Sequence, residues 1–332
     1  MKEKTSPVLG IDIGTSRIVV ARQRDGDYQF ASELNAFIGI PASKMTEKAL
    51  RRENVVFASE GPQIIVHGNQ APRFADLLNV EARRPMTQGM LNPSEKESLA
   101  IVRRIVESLL GEDAGRSPNV WFSVPSAPLR AEDSLTYHES SLKQMFTEMG
   151  IQATGVNEGL AVIYSELEDS NYTGIGISCG GGLCNVCLAY LSMPAISFSI
   201  PKAGDFIDNS AASVVGDLAT RVRLVKEQSF HFNGSFSDKL LQAITVYYDD
   251  VIRSLIQAMQ EAFSNTRRMP RISQPIPLVL SGGSAVPKGF AERFERALRQ
   301  APVPVPISEV RMAKDPLTAT ARGALIAGLT EN

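Results

Sequence analysis

The residues best placed to do chemistry are two short glycine turns set between apolar strands. "SCGGGLCNV", residues 178–186, puts Gly180, Gly181 and Gly182 in a row between two runs that each read as a strand, with Ser178 just before them. Glycine costs conformational entropy when ordered, so a cluster inside a strand pattern marks a bulge or a ligand approaching the backbone closely. A distant stretch, "VLGIDIGTSRIVVARQ" at 8–23, shares its plan with "GIGISCGGGLCNVCLAY" at 174–190: apolar strand, glycine-containing turn, apolar strand. Backbone N–H groups at tight glycine turns form anion-binding nests, and two facing turns would grip a polyphosphate in a cleft between two halves of the chain. Two ordinary hairpins of an α/β protein are the alternative. Neither turn is a P-loop, since no G-x-x-x-x-G-K-[ST] occurs, and neither passes directly into a helix as a dinucleotide fingerprint does.

The elements that must position these turns alternate along the chain. "PSEKESLAIVRRIVESLLG" at 93–111 reads as a helix with Ser94 and Glu97 as its capping box, Val102, Ile105, Val106 and Leu109 on one face, and Gly111 at its end. "NVWFSVPS" at 119–126 reads as a buried strand, followed by helices over about 129–149 and 158–167. Residues 205–228 are mostly helical in pattern, and a long helix covers about 237–264. "IPLVL" at 276–280 is a strand ending in "SGGS", and "KGFAERFERALRQ" is the helix after it. Strands alternating with helices in both halves indicate α/β domains.

A chain of 332 residues, 43% hydrophobic, has material for about two domains. Net charge is -2, and no basic block is interleaved with aromatics, so nucleic acid is not an expected partner. The start lacks an apolar core of signal-peptide length and no 18-residue uncharged apolar run occurs, so the expected location is the cytoplasm. Cys179, Cys184 and Cys187 alternate with apolar residues. A metal set would have to straddle the glycine turn with no histidine nearby in sequence, which favours packing in a core. His67, His138 and His231 are too dispersed for a triad or ligand set, and the sequons at Asn171 and Asn233 carry little meaning without secretion.

The order of motifs resembles the actin-like ATPase superfamily over nearly the whole chain. "GIDIGTS" at 10–16 looks like its first phosphate loop, with Asp12 in the position associated with the metal, and "SCGGG" looks like the second. "VLSGGSAVPKGF" at 279–290 resembles the adenosine loop through Gly282, Gly283 and Ser284. "VNEGLAVIYSEL" from Val156 and "DPLTATARGALIAG" at 315–328 resemble the two connecting helices, with Glu158 at an acidic position used in hydrolysis. "RRPMTQGML" at 83–91, "VPS" at 124–126, "KAGDFID" at 202–208 with Gly204, "RLVKEQSF" at 223–230 and "KDPLTATARGAL" at 314–325 are similar to stretches of bacterial filament actins of the MreB and MamK kind. Arg223 and Lys226 fall on one helical face, as adenosine contacts require in that family; Arg223 stands where a glutamate is often found.

The resemblance implies an actin-like, duplicated ribonuclease-H-like α/β fold of two domains with the nucleotide between them. Domain I would be 1–157 plus 314–332, with a small subdomain at about 33–84; domain II would be 158–313, with one at about 205–238. It implies ATP and Mg²⁺ as cofactors, with Asp12 and Glu158 catalytic and Asp12 toward the metal. Phosphate donors would be Gly14, Thr15, Ser16 and the 180–182 backbone. Arg17 would add a charge-assisted bond, a solvated strand residue being the alternative. The implied function is a nucleotide-dependent filament whose partners are its own copies and a cargo or adaptor protein. No N-terminal segment is apolar enough for membrane binding. The rivals are a non-polymerising nucleotide-binding scaffold and, less favoured, a small-molecule kinase. Ser178 stands where related loops carry an aspartate, and Leu183 where they carry a threonine, so the implied ATPase is slow.

Overall fold

The first glycine turn joins β1 (Val8–Ile13) to β2 (Arg17–Arg24), and β3 (Asp27–Leu34) continues the meander. The computed structural model describes residues 6–129, 135–232, 236–264, 270, 272 and 274–331. Next, β4 (Phe37–Pro41), α1 (Lys44–Arg52), β5 (Phe57–Glu60), β6 (Gln63–His67) and α2 (Ala71–Leu78) enclose a small core around Ile38, Ile64 and Val66. A ribbon of β7 (Met86–Thr87) and β8 (Met90–Leu91) leads through α3 (Ser98–Leu110) to β9 (Asn119–Val124), α4 (Leu135–Glu148) and β10 (Gln152–Asn157). Because β9 runs parallel to β1 and β10 parallel to β9, the first sheet has the order β10-β9-β1-β2-β3.

The second half begins with α5 (Glu158–Glu166) and repeats the plan. The meander is β11 (Gly174–Cys179), β12 (Cys184–Tyr190) and β13 (Met193–Ile200). Then come α6 (Gly204–Val215), α7 (Ala219–Gln228), α8 (Lys239–Phe263), β14 (Ile276–Ser281), α9 (Phe290–Gln300), β15 (Ile307–Met312) and α10 (Ala319–Glu331). The second sheet has the order β13-β12-β11-β14-β15, again a meander followed by two parallel strands beyond its opening strand. The two hairpins match rung for rung: Ile13 pairs with Ile18 and Cys179 with Cys184, so Gly10 corresponds to Gly176 and Asp12 to Ser178. Every residue of β11 is buried, as expected of a central strand covered on both faces.

Helices α5 and α10 join the halves. α5 lies on β11 and β12, α10 lies on β1 and β9, and the two pack against each other. Glycines make this approach possible. A Cβ at Gly323 would overlap the Ala161 carbonyl, one at Gly10 the Ala321 carbonyl, and one at Gly176 the Gly159 carbonyl.

Several sequence expectations are corrected in detail. Ser94 and Glu97 do not form a capping box, because α3 starts only at Ser98. Asn92 takes over: its Oδ1 accepts from the Ser94 N–H (3.0 Å), its carbonyl accepts from Ser98 Oγ (3.0 Å), and the intervening residues form turns. Val102, Ile105, Val106 and Leu109 do share the buried face, and Gly111 ends the α-helix at φ +54°, followed by a 3₁₀ segment to Arg116. The helical stretch at 205–228 is two helices, parted at Gly216 with φ +72°. Among the described residues α4 runs over Leu135–Glu148; residues 130–134 of the expected helix, like Asn233, lie outside them. Among the described residues no helix is long and apolar enough to cross a membrane.

His138 on α4 is buried, and its Nδ1 accepts from the Leu91 N–H (3.3 Å), which requires a neutral ring. Burial pushes its pKa down to about 4. A depressed folded pKa means that the unfolded chain binds more protons between about pH 6.5 and 4. Stability is therefore expected to fall across that window by ~2 kcal/mol from this group, and His138→Gln should flatten the fall in urea titrations at pH 7 and pH 4.5. Gly323→Val should cost about 3 kcal/mol or more, by overpacking the α5–α10 crossing, and appear as a lowered urea midpoint or loss of soluble protein.

Candidate functional site

A cavity of about 500 Å³ lies between the two glycine turns, and every residue that the sequence resemblance assigned to nucleotide, metal or catalysis lines it. Asp12 comes from β1, Gly14, Thr15 and Ser16 from the turn after it, and Arg17 from the start of β2. Gly180, Gly181 and Gly182 come from the β11–β12 turn, and Glu158 from the first turn of α5. Gly204 opens α6, Arg223 and Lys226 face in from α7, and Gly282, Gly283 and Ser284 follow β14. The turns are locked in place. Thr15 Oγ1 accepts from the Gly89 N–H (2.9 Å), and Ser284 Oγ donates to the Gly180 carbonyl (2.7 Å). A Cβ at Gly182 would overlap the Gly89 nitrogen and press on Thr15 Oγ1 at 2.6 Å, so only glycine lets the turns come this close. Arg17 Nη1 donates to Ser32 Oγ (3.2 Å), which lays the guanidinium along β3 at the cavity wall.

Two of the carboxylates that line this space, Asp12 and Glu158, are those singled out from the sequence. Asp12 Oδ1 accepts from Ser123 Oγ (2.7 Å), and Ser123 Oγ accepts from the Ile13 N–H (3.1 Å). Glu158 Oε2 accepts from Ser178 Oγ (3.2 Å) and Asn185 Nδ2 (2.9 Å). Burial pushes the Asp12 carboxyl up to about 6, against the pull of Ser123. Burial, with the Asp12 charge added, pushes Glu158 up to about 8. Among the described residues neither has a cationic side chain as ion-pair partner, so the pair lacks a counter-charge. Oxygen ligands without a counter-charge suit a hard divalent cation. Among the described residues no cluster of three or more His, Cys, Asp or Glu is arranged to hold a metal, so such an ion would need further oxygens from ligand or water.

The cations at the opposite wall are already engaged. Lys226 Nζ meets Asp208 Oδ1 at 2.7 Å and donates to the Gly204 carbonyl (3.1 Å). Arg223 pairs with Asp208 (3.2 Å) and Asp205 (3.1 Å), and Arg84 reaches the same Asp205 oxygen at 2.8 Å. Beyond this cluster lies a second cavity of about 560 Å³, sharing Gly182, Asp205 and Arg223 as its wall.

Sequence reasoning missed Asp205, Asp208, Asn185, Glu227 and Tyr248. The first two sit inside "KAGDFID" on α6, 18 and 15 residues before Arg223, so no local spacing ties them to the cations of α7. Tyr248, stacked on Phe230 at 5.4 Å, brings to the cavity lining a buried hydroxyl that has no hydrogen-bond partner among the described residues. The cysteines pack in the interior as their pattern suggests: all three are free and buried, and burial pushes the Cys187 thiol up to about 12.

A family model described as Volactin matches residues 8–328. Comparison with curated proteins by sequence gives no match. Among solved structures, a MamK double helical filament is 20% identical and covers 98% of each chain at a TM-score of 0.71. MreB5 of Spiroplasma citri bound to ADP is 13% identical, covering 99% of this chain and 98% of its own at 0.69. The ethanolamine utilization protein EutJ from Carboxydothermus hydrogenoformans is 17% identical, covering 96% and 89% at 0.55. These likenesses show an actin-like fold.

The raised Glu158 pKa has a definite sign. The folded protein binds more protons than the unfolded chain between about pH 4.5 and 8, so stability is held below that window and lost as pH rises through it. Without ligand, the native protein should lose ~3 kcal/mol between pH 5 and pH 9 from this group, and Glu158→Gln should remove most of that loss in urea titrations.

Proposed function

The chain belongs to the volactin family, and we propose that it is an actin-like protein that binds ATP with Mg²⁺ between its two glycine turns and assembles into nucleotide-dependent filaments. The observation that carries this reading is one cavity to which two hairpins of like topology bring two glycine turns, the Asp12 and Glu158 carboxylates and the glycine loop after β14. Structures of the same fold support it: one MamK neighbour is a double helical filament, another MamK variant is bound to AMPPNP, and MreB5 is bound to ADP.

In this reading the 180–182 backbone, Thr15 and Ser16 donate to phosphate oxygens, and Arg17 swings from Ser32 to add a charge-assisted bond. Gly282, Gly283 and Ser284 let the backbone approach the nucleoside, which Arg223 and Lys226 border from α7. Bound Mg²⁺ would neutralise phosphate charge and polarise the transferred phosphoryl group. Asp12 is the protein carboxylate nearest that role, and its missing counter-charge fits it. Glu158, held by Ser178 and Asn185, orients the attacking water and takes its proton. Ser178 offers a hydroxyl where a carboxylate would hold the metal's water shell, so hydrolysis is slow and assembly follows occupancy more than turnover. We assign 1–157 with 314–332 to one domain and 158–313 to the other, because α10 returns to pack on β1 and β9. The filament works in the cytoplasm, its partners being further copies and a cargo or adaptor protein.

ATP or ADP with Mg²⁺ should raise the melting temperature, by the equivalent of about 2.7 kcal/mol at a hundredfold excess over Kd; no shift with either nucleotide or a slowly hydrolysed analogue would overturn the binding reading. Pelleting and electron microscopy should show filaments that depend on nucleotide, since a heterologous contact that does not close propagates. A chain that stays monomeric at every nucleotide and concentration is instead a scaffold. Ser178→Asp should speed phosphate release at least ~10-fold.

A further inference from the structure

A chain of hydrogen bonds runs from Glu158 through Asn185 to Ser126. Asn185 stands opposite Ser178 in the β11–β12 ladder, so both side chains project from the same face of the second sheet toward Glu158. It is 1% exposed. Its Nδ2 donates to Glu158 Oε2 (2.9 Å), and its Oδ1 accepts from the Ser126 N–H (2.8 Å). Turned over, the amide would set its NH₂ against the Ser126 N–H and its oxygen against the carboxylate, so these partners fix its orientation.

Ser126 belongs to the segment that leaves β9 of the first sheet, and that segment is docked on the second. The Ser126 carbonyl accepts from Ser199 Oγ (2.8 Å). The Ser199 N–H donates to the Ala127 carbonyl (2.9 Å), and the Leu129 N–H donates to the Ser199 carbonyl (3.2 Å), with Pro128 bridged to Ser199 in parallel. Ser126 Oγ accepts from Asn157 Nδ2 (2.6 Å), and Asn157 caps α5 by accepting from the Leu160 N–H (3.1 Å). One buried amide thus holds the carboxylate of the cavity on one side and an edge of the second sheet on the other. In a buried, low-dielectric network each such bond polarises and stiffens the next.

From this juxtaposition we propose that Asn185 is a positioning residue that couples occupancy of the cavity to docking of the 126–129 segment on β13. The inference rests on the nucleotide reading above. A ligand that orders the Glu158 carboxylate also orders the amide that holds Ser126, so the segment tightens on β13 when the cavity is filled.

Hydrogen exchange on the full chain, with and without AMPPNP and Mg²⁺, tests this beside a titration with a fluorescent ATP analogue. In the native chain, nucleotide should slow exchange of the Ser126 and Leu129 amides about tenfold. In Asn185→Ala, compared at nucleotide concentrations that the titration shows to be saturating, that gain should disappear. Asn185→Asp keeps an acceptor for the Ser126 N–H but offers no donor to Glu158, and should lose the gain as well; it serves if the alanine variant does not fold. A merely structural Asn185 would loosen the segment equally in both states and preserve the nucleotide-dependent ratio, which would overturn the proposal. Nucleotide bound without any gain in the native chain would also overturn it while leaving the nucleotide reading intact. No nucleotide binding in the titration would remove both.

Discussion

The structure depends on one contact, the crossing of α5 and α10 with no side chain between their backbones. Gly323 lies against Ala161, and the central strand under each helix carries its own glycine at the matching rung, Gly10 beneath α10 and Gly176 beneath α5. Close-packed backbones leave no soft layer to compress, so the separation of the two sheets is set by main-chain atoms. The glycine turns at the ends of β1 and β11 are therefore held at a distance that the cavity inherits.

Charge divides that cavity into unequal ends. At one end Asp12 and Glu158 lie in a low-dielectric surround with neutral donors only. At the other, Arg84, Arg223 and Lys226 share Asp205 and Asp208, so each cation is ion-paired although three of them meet two carboxylates. Breaking a buried pair leaves an uncompensated charge, which costs far more than an exposed pair gains. The cationic wall is thus a rigid boundary, whereas the carboxylate end has attraction to spare for a cation.

Much of this was legible in the sequence, for identifiable reasons. Glycine runs inside strand patterns are rare enough to mark the turns, and the apolar spacing of Val102, Ile105, Val106 and Leu109 fixed the inward face of α3. The resemblance to actin-like ATPases carried Asp12 and Glu158, which no local pattern would have singled out. The false capping box shows the limit of a short motif: Asn92, two residues before Ser94, competes for the same N–H and wins. Asn185 was hidden for another reason. Its partners lie 27 and 59 residues away, and only the ladder that sets it opposite Ser178 brings them together. Asp208 was likewise hidden, since cations three residues apart reveal nothing about the carboxylate between them.

The backbone pairing of Ser199 with Ala127 and Leu129 also bears on how copies of this chain avoid one another. β13 is the outer strand of its sheet, and an outer strand with free N–H and C=O groups is a template for any extended chain, including a misfolded copy. At its Ser199 end the chain's own segment occupies that template through an isolated bridge at Pro128, a residue with no N–H to offer a further strand. Cross-β growth from the Ser199 end of β13 would therefore first require the segment to peel away.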